Sequence, residues 1–255
     1  MSKSLNLFLF LILLSSLFSC SYKTVPYFQD LNRSEPSKET ITNYDPITIQ
    51  PEDILGISVS SQNVEASAVF NYNLNTVSGL SQTTSNNPVV GYLVNDSGNI
   101  QVPYIGTMKV VGLTLSQIQQ SLQKQLLDYL KQPVVNIRLI NFKVAVMGDV
   151  LRPGVYPVDK QRISITEALT MAGDLNITAL RSNIVLIRET NGTREYIPID
   201  LTSKKLFNSP YFYMKSNDFL YVQPGKNKFA SVDNSYRNIS IVLSALSIIV
   251  ILLTR

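Results

Sequence analysis

The sequence predicts an α+β chain, two small mixed domains strung between two membrane anchors. Three observations predict it. Between Tyr44 and Val222, short stretches with the period of half-buried strands are interrupted by only two helical segments. A lone cysteine, Cys20, follows an apolar run of 14 residues, Leu5 to Phe18. A second apolar run, Ile239 to Leu253, carries no charge.

Met1-Ser2-Lys3 puts a positive charge ahead of the first run, which is too short to span a bilayer comfortably and reads as an export signal. It ends Leu17-Phe18-Ser19-Cys20, which resembles a bacterial lipobox: Leu three residues before the cysteine and a small residue directly before it. Residues 1–19 are then a lipoprotein signal peptide and Cys20 the lipid attachment site. Two or more acyl chains would hold it stably, at about 0.8 kcal/mol per buried CH₂. Residues 20–43 are polar, include Pro26 and Pro36, and read as a lipidated tether.

The first domain is expected over residues 44–141. Ile54 to Ser60 alternates from Leu55 as a half-buried strand should. Ser78 to Pro88 is a flexible loop by composition. Gly91 to Val94 and Ile100 to Val102 flank Asn95-Asp96-Ser97-Gly98, a hairpin signal. Pro103 and Gly106 are read as turn residues. Thr114 to Leu130 reads as a helix opened by the capping box Thr114-x-x-Gln117 and stopped by Pro133. Leu115, Ile118, Leu122, Leu126 and Tyr129 would line its inner face. Val134 to Ile140 alternates again.

The second domain is expected over residues 142–225. Val144 to Met147 and Val155 to Val158 read as strands joined through Arg152-Pro153-Gly154-Val155, where Pro153 then Gly154 fits a type II turn. Ser164-x-x-Glu167 is a second capping box, opening a short helix that ends at Gly173. Ile184 to Arg188 and Tyr196 to Ile199 are strands joined at Asn191-Gly192. Phe219 to Val222 is the last, after the turn Lys215-Ser216-Asn217-Asp218. Residues 226–237 form a linker.

Asn238 to Thr254 then reads as a transmembrane helix of 17 residues, about 25 Å long. Eleven residues of Ile239–Leu253 are Ile, Leu or Val. They favour insertion by about 3 to 7 kcal/mol. Lys226, Lys228 and Arg237 precede the run, on the side where Cys20 is processed, which the positive-inside rule disfavours for an inner-membrane span. The short length suits a thin outer membrane. Ser240, Ser244 and Ser247 fall on one stripe, suited to close helix contact or a wet lumen. A plain single-span anchor with incidental serines fits the same residues.

Composition excludes much chemistry. The 255 residues hold no His, no Trp and one Cys. Ser-His-Asp and Cys-His systems and His-based zinc sites are absent, so neither a catalytic centre nor a metal site is expected, and no cofactor. Asp53, Asp149, Asp174 and Asp218 are read as turn and cap residues. Twenty-two Lys and Arg against eighteen Asp and Glu leave +4, unclustered, so nucleic acid is not an expected partner.

Taken together, these residues resemble the Wza-type outer-membrane polysaccharide export lipoproteins. The export-domain pattern is carried by Ile49-Gln50-Pro51-Glu52-Asp53-Ile54-Leu55, Asn99-Ile100-Gln101-Val102-Pro103-Tyr104-Ile105-Gly106, Val111-Gly112-Leu113-Thr114 and Gln132-Pro133-Val134-Val135. Val146-Met147-Gly148-Asp149-Val150, Pro153-Gly154-Val155-Tyr156, Glu167-Ala168-Leu169 with Ala172-Gly173, Val185-Leu186-Ile187-Arg188 and Asp218-Phe219-Leu220-Tyr221-Val222 resemble one SLBB domain, a β-grasp unit. Three turns depart from the family pattern: Glu52 stands where Pro-Gly-Asp is usual, Asp174 where Ala-Gly-Gly is usual, and Asn217 where a Gly-Asp turn is usual. The resemblance implies a homo-oligomeric ring, octameric in the type example, that passes polysaccharide through its lumen. It implies an outer-membrane location with the bulk of the chain in the periplasm, and an inner-membrane copolymerase as partner. Tyrosines could stack on sugars there, although most are expected as strand and core residues. The second reading of the residues is a lipoprotein whose SLBB-like unit binds a soluble glycan or a partner, with no channel.

Overall fold

The computed structural model describes residues 26–43, 46–74, 91–190 and 192–232, together with residues 240, 241, 243, 244, 247 and 248. Two hydrophobic cores form along it. The first is built on strand β1 (Ile54–Ser60), whose Leu55, Ile57 and Val59 face inward. Strand β1 pairs antiparallel with β2 (Tyr92–Leu93) on one side and β5 (Val134–Leu139) on the other, with Ile57 opposite Ile137 and Val59 opposite Val135. A separate hairpin, β3 (Asn99–Val102) with β4 (Gly106–Lys109), adds Ile100, Val102 and Met108 to the same core.

Among the described residues two α-helices serve this unit: α1 (Val64–Ala68) and α2 (Leu115–Leu126). The capping box opens α2, with Gln117 N–H on Thr114 Oγ1 at 3.2 Å and Thr114 N–H on Gln117 Oε1 at 2.9 Å. Its inner face is Ile118, Leu122 and Leu126, all fully buried, each stabilising by about 1.5–3 kcal/mol. Gln119 and Gln123 donate to the carbonyls of Val135 and Pro133, which fixes the helix along β5.

The second unit is a five-stranded mixed sheet in the order β10-β9-β12-β6-β7. Its strands are β6 (Lys143–Gly148), β7 (Gly154–Pro157), β9 (Ala179–Thr190), β10 (Thr193–Ile199) and β12 (Phe219–Pro224). The central pair β6 and β12 is parallel and the others antiparallel, which is the order and sense of a β-grasp sheet. Helix α3 (Ile165–Met171) packs Ile165, Ala168 and Leu169 against it, beside a short ribbon of β8 (Ile163–Ser164) and β11 (Tyr213–Met214). Helix α4 (Lys226–Val232) follows β12.

Three local expectations are corrected. Helix α2 ends at Leu126, four residues early, where Leu127 and Tyr129 N–H turn to the carbonyls three residues back, Lys124 O and Leu126 O, before the chain reverses at left-handed Gln132 (φ 50°). Tyr129 is therefore 52% exposed, and Leu130 fills the inner face instead. The Asn95–Gly98 turn closes, with Asn95 N–H on Asn99 O at 3.0 Å, but its flanks take different partners: β2 joins β1 while β3 pairs with β4. Pro153-Gly154 is not a type II turn, since Gly154 lacks a positive φ and opens β7 opposite Val146. The reversal is made earlier, at left-handed Gly148, whose missing side chain would meet Val222 O at 2.0 Å. The backbone N–H groups of Leu151 and Arg152 then bond Asp174 O and Ala172 O, so no self-closed turn is needed. No helix among the described residues is long and apolar enough to cross a membrane. The expected span at Asn238–Thr254 lies largely outside those residues.

Candidate functional site

Asp149, directly after β6, is fully buried. Its carboxylate accepts from Lys228 Nζ at 2.5 Å, Thr178 Oγ1 at 2.6 Å and Asn176 Nδ2 at 2.8 Å. Burial acts to raise its pKa, but the bonds from Lys228, Thr178 and Asn176 outweigh it and hold the group below the usual carboxylate range. Lys228 lies on α4, so this charge pair joins the sheet to the segment that leads to the C-terminal serines.

The described part of the stretch expected as a tether, residues 26–43, lies along the second unit. Phe28 N–H donates to Leu201 O at 3.0 Å and Gln29 N–H to Thr202 O at 2.6 Å, through a turn in which Phe28 is left-handed (φ 48°). Tyr27 OH donates to Asp174 Oδ1 at 2.5 Å beneath the Arg181 guanidinium, 5.1 Å from the ring centroid. Burial, then the hydrogen bond to Asp174 and its charge, push the Tyr27 phenol up to about 12. Asp30 accepts from Lys204 N–H at 2.5 Å and Ser203 Oγ at 2.6 Å, capping the 3₁₀ turn Lys204–Asn208. Lys204 Nζ also pairs with Glu39 at 2.6 Å, and Asn43 Nδ2 reaches Phe207 O and Ser209 O. Cys20 itself lies outside the described residues, six positions before Pro26.

At the junction of the two units Asn141 is bonded back to the first: its Oδ1 accepts from Ile54 N–H and its Nδ2 donates to Glu52 O, both at 2.9 Å. Leu139 packs on both cores. Beside this joint is a cleft of about 700 Å³, lined in part by Gln50, Glu52, Asp53, Glu189, Arg194 and Lys215. Asp53 is 3% exposed there and caps its own turn by accepting from Gln50 N–H at 2.9 Å; burial raises its pKa. Deeper in the second unit, Arg188 grips Asp218 with two bonds, Nε to Oδ1 at 3.0 Å and Nη2 to Oδ2 at 2.7 Å. Both side chains are nearly sealed from water, so removing one partner would leave a bare buried charge, a loss of about 3–5 kcal/mol.

Asp53, Asp174 and Asp218 accept local backbone N–H groups at turns, whereas Asp149 takes side-chain donors from 27 to 79 positions away. Among the described residues no cluster of His, Cys, Asp or Glu could hold a metal ion. Pro103 opens a three-residue turn, closed by Ile105 N–H on Pro103 O at 2.7 Å, and left-handed Gly106 follows it. Pro153 and Gly154 lie at the entry to β7. Ser240, Ser244 and Ser247 are helical and exposed. Ser244 Oγ donates to Ser240 O at 2.7 Å and Ser247 Oγ to Ser244 O at 3.1 Å, so both hydroxyls are satisfied within their own helix. The Lys228–Asp149 and Tyr27–Asp174 contacts carry no local sequence signal, since their partners lie 79 and 147 positions apart.

Comparison with known proteins places names on the two units. Residues 42–140 match the model of the polysaccharide biosynthesis/export proteins, and residues 142–222 match the SLBB domain. Over 155 residues, 60% of this chain, it is 28% identical to "EPS I polysaccharide export outer membrane protein EpsA" of Ralstonia solanacearum. The protein of the same name from Ralstonia nicotianae is 29% identical over 154 residues, 59% of this chain. These stretches span only 41% and 40% of the two relatives.

Proposed function

Since the chain belongs to the polysaccharide biosynthesis/export family, with an SLBB domain behind the export domain, we propose that it is a subunit of an outer-membrane channel. The channel would carry capsular or extracellular polysaccharide from the periplasm to the cell surface. One observation carries the reading: an export domain is followed by an SLBB domain in a chain that is 28% and 29% identical, over 60% and 59% of its length, to two relatives named as polysaccharide export outer membrane proteins.

The parts fit that task. Lipid on Cys20 would hold the N-terminus at the inner leaflet, and residues 26–43, bound along the second unit, would keep that unit near it. One helix per chain cannot enclose a pore, so the channel requires a homo-oligomeric ring in which several C-terminal helices satisfy their backbones side by side. The work is conduction without catalysis. An inner-membrane polysaccharide copolymerase would deliver the polymer.

Electron microscopy of protein extracted from outer membranes tests this directly. A ring closed by a helical cap, together with cleavage at a protease site added near Arg255 in intact cells, is the expected result. Cross-linked outer-membrane fractions holding only monomers would overturn it in favour of a lipoprotein whose SLBB domain binds a glycan or a partner.

A further inference from the structure

Tyr104 occupies the tip of the β3–β4 hairpin in the left-handed region, at φ 61°. A bulky residue there is strained where glycine would sit at ease. Burial of the ring does not offset the strain, because Tyr104 is 71% exposed. Yet the ring is held firmly from behind. Phe70, 3% exposed, lies 6.2 Å from it between centroids, and Tyr129 lies 6.3 Å away, both tilted. Tyr129 OH donates to Tyr104 O at 3.3 Å and remains half exposed itself. The same hairpin carries Gln101 and Thr107, exposed neutral groups bonded to each other at 2.8 Å. A strained backbone, two wet phenol rings and one buried phenyl that anchors them are thus concentrated at one point.

We propose that Tyr104, supported by Tyr129, is a stacking platform for a pyranose ring of the exported polymer; this rests on the export reading above. A pyranose presents a face of C–H groups that carry slight positive charge, and an aromatic face is negative. Stacking needs a ring that is exposed and backed by other side chains, as Tyr104 is by Phe70 and Tyr129. The phenol hydroxyls and the amide of Gln101 supply hydrogen bonds to sugar hydroxyls at the rim. Strain held at such a point is the pattern expected where a side chain is presented for a ligand. The contact is weak and independent of sugar order, which suits a polymer that must move on.

The chain has no Trp, so Tyr104→Trp places a single fluorescent reporter at the site. Oligosaccharides made by partial acid hydrolysis of the cells' own exopolysaccharide are the probe. The expected result is a saturable emission shift in the full-length oligomer. Tyr104→Gly, which the positive φ accommodates, should keep the fold, weaken oligosaccharide binding about threefold to tenfold and slow export. An unchanged emission and unchanged export by Tyr104→Gly, in cells where deleting the whole chain stops export, would overturn the platform and leave the export reading standing. Export that survives deletion of the whole chain would overturn both. A Tyr104→Gly chain that no longer assembles would also overturn the platform, reassigning the rings to subunit contact.

Discussion

Lys228 Nζ lies 2.5 Å from Oδ1 of Asp149, a carboxylate with no exposure to water, and through it α4 is tied to the sheet of the SLBB domain. In Lys228→Met the carboxylate keeps Thr178 and Asn176 but loses its counter-charge. A loss of about 1–3 kcal/mol at neutral pH is expected. The pH dependence has a definite sign. The folded-state pKa of Asp149 is depressed, so its contribution is present above the unfolded value of about 3.9 and is lost as pH falls through the folded value. Without Lys228 that pKa rises, and acid unfolding should begin at higher pH. Urea melts of both proteins across the acid range would measure it; identical acid midpoints would refute the coupling.

The three turns that lack the family's glycine are Glu52, Asp174 and Asn217, and all three are left-handed, at φ 69°, 73° and 64°. Each turn places on its residue a backbone demand that glycine meets at least steric cost. Left-handed geometry costs an ordinary residue about 1–2 kcal/mol, and glycine loses about 0.4–1 kcal/mol through its freer unfolded state. Glu52→Gly should therefore stabilise by about 0.5–1 kcal/mol, since only its backbone is used, by Val94 O and Asn141. Asn217→Gly should be close to neutral, because asparagine tolerates this region. Asp174→Gly should destabilise, since it removes the acceptor for Tyr27 OH. Thermal unfolding of the three variants would rank them; a Glu52→Gly protein less stable than the parent would contradict the argument.

How much was legible in the residues depended on distance along the chain. Both capping boxes were readable, because Thr114 with Gln117 and Ser164 with Glu167 complete their signal within four positions. The alternation of Leu55, Ile57 and Val59 marked a strand for the same reason. Strand β4 was missed, since Gly106–Lys109 holds one buried apolar residue, Met108, and becomes a strand only by pairing with β3. Pro153-Gly154 misled because the carbonyls that accept from Leu151 and Arg152 belong to a segment some twenty residues later. The segment from Pro26 to Asn43 read as a tether because its polar residues find their partners on the second unit, far along the sequence.

Tyr27 gives that segment an alkaline limit. Its phenol is pushed up to about 12 from an ordinary 10.0, by burial first and then by Asp174. A raised folded-state pKa means the contribution is complete below the unfolded value and is lost as pH rises through about 12. Ionised, Tyr27 would repel Asp174 and release the segment. Ultraviolet titration should show one tyrosine ionising late, and Tyr27→Phe should lack it. Proteolysis between Pro26 and Asn43 should also be faster in Tyr27→Phe. If the late phase persists in that variant, it belongs to another of the 13 tyrosines.

The serines on the C-terminal helix separate two ways in which a proposed ring could use them. Ser244 and Ser247 already donate to carbonyls of their own helix, so neither hydroxyl requires water or a neighbour. What remains is their small size, which lets helices approach closely. Changing Ser240, Ser244 and Ser247 together to Ala keeps the small surface and removes the hydroxyls; changing them to Ile keeps an insertable helix and adds bulk. If close approach is what matters, the triple Ala chain should export polysaccharide at near the parental rate. The triple Ile chain should insert and export poorly. If a wet lumen is what matters, both variants should fail. Surface polysaccharide and membrane fractionation, measured on the same cells, distinguish these outcomes. Normal export by the triple Ile chain would remove the stripe from the mechanism.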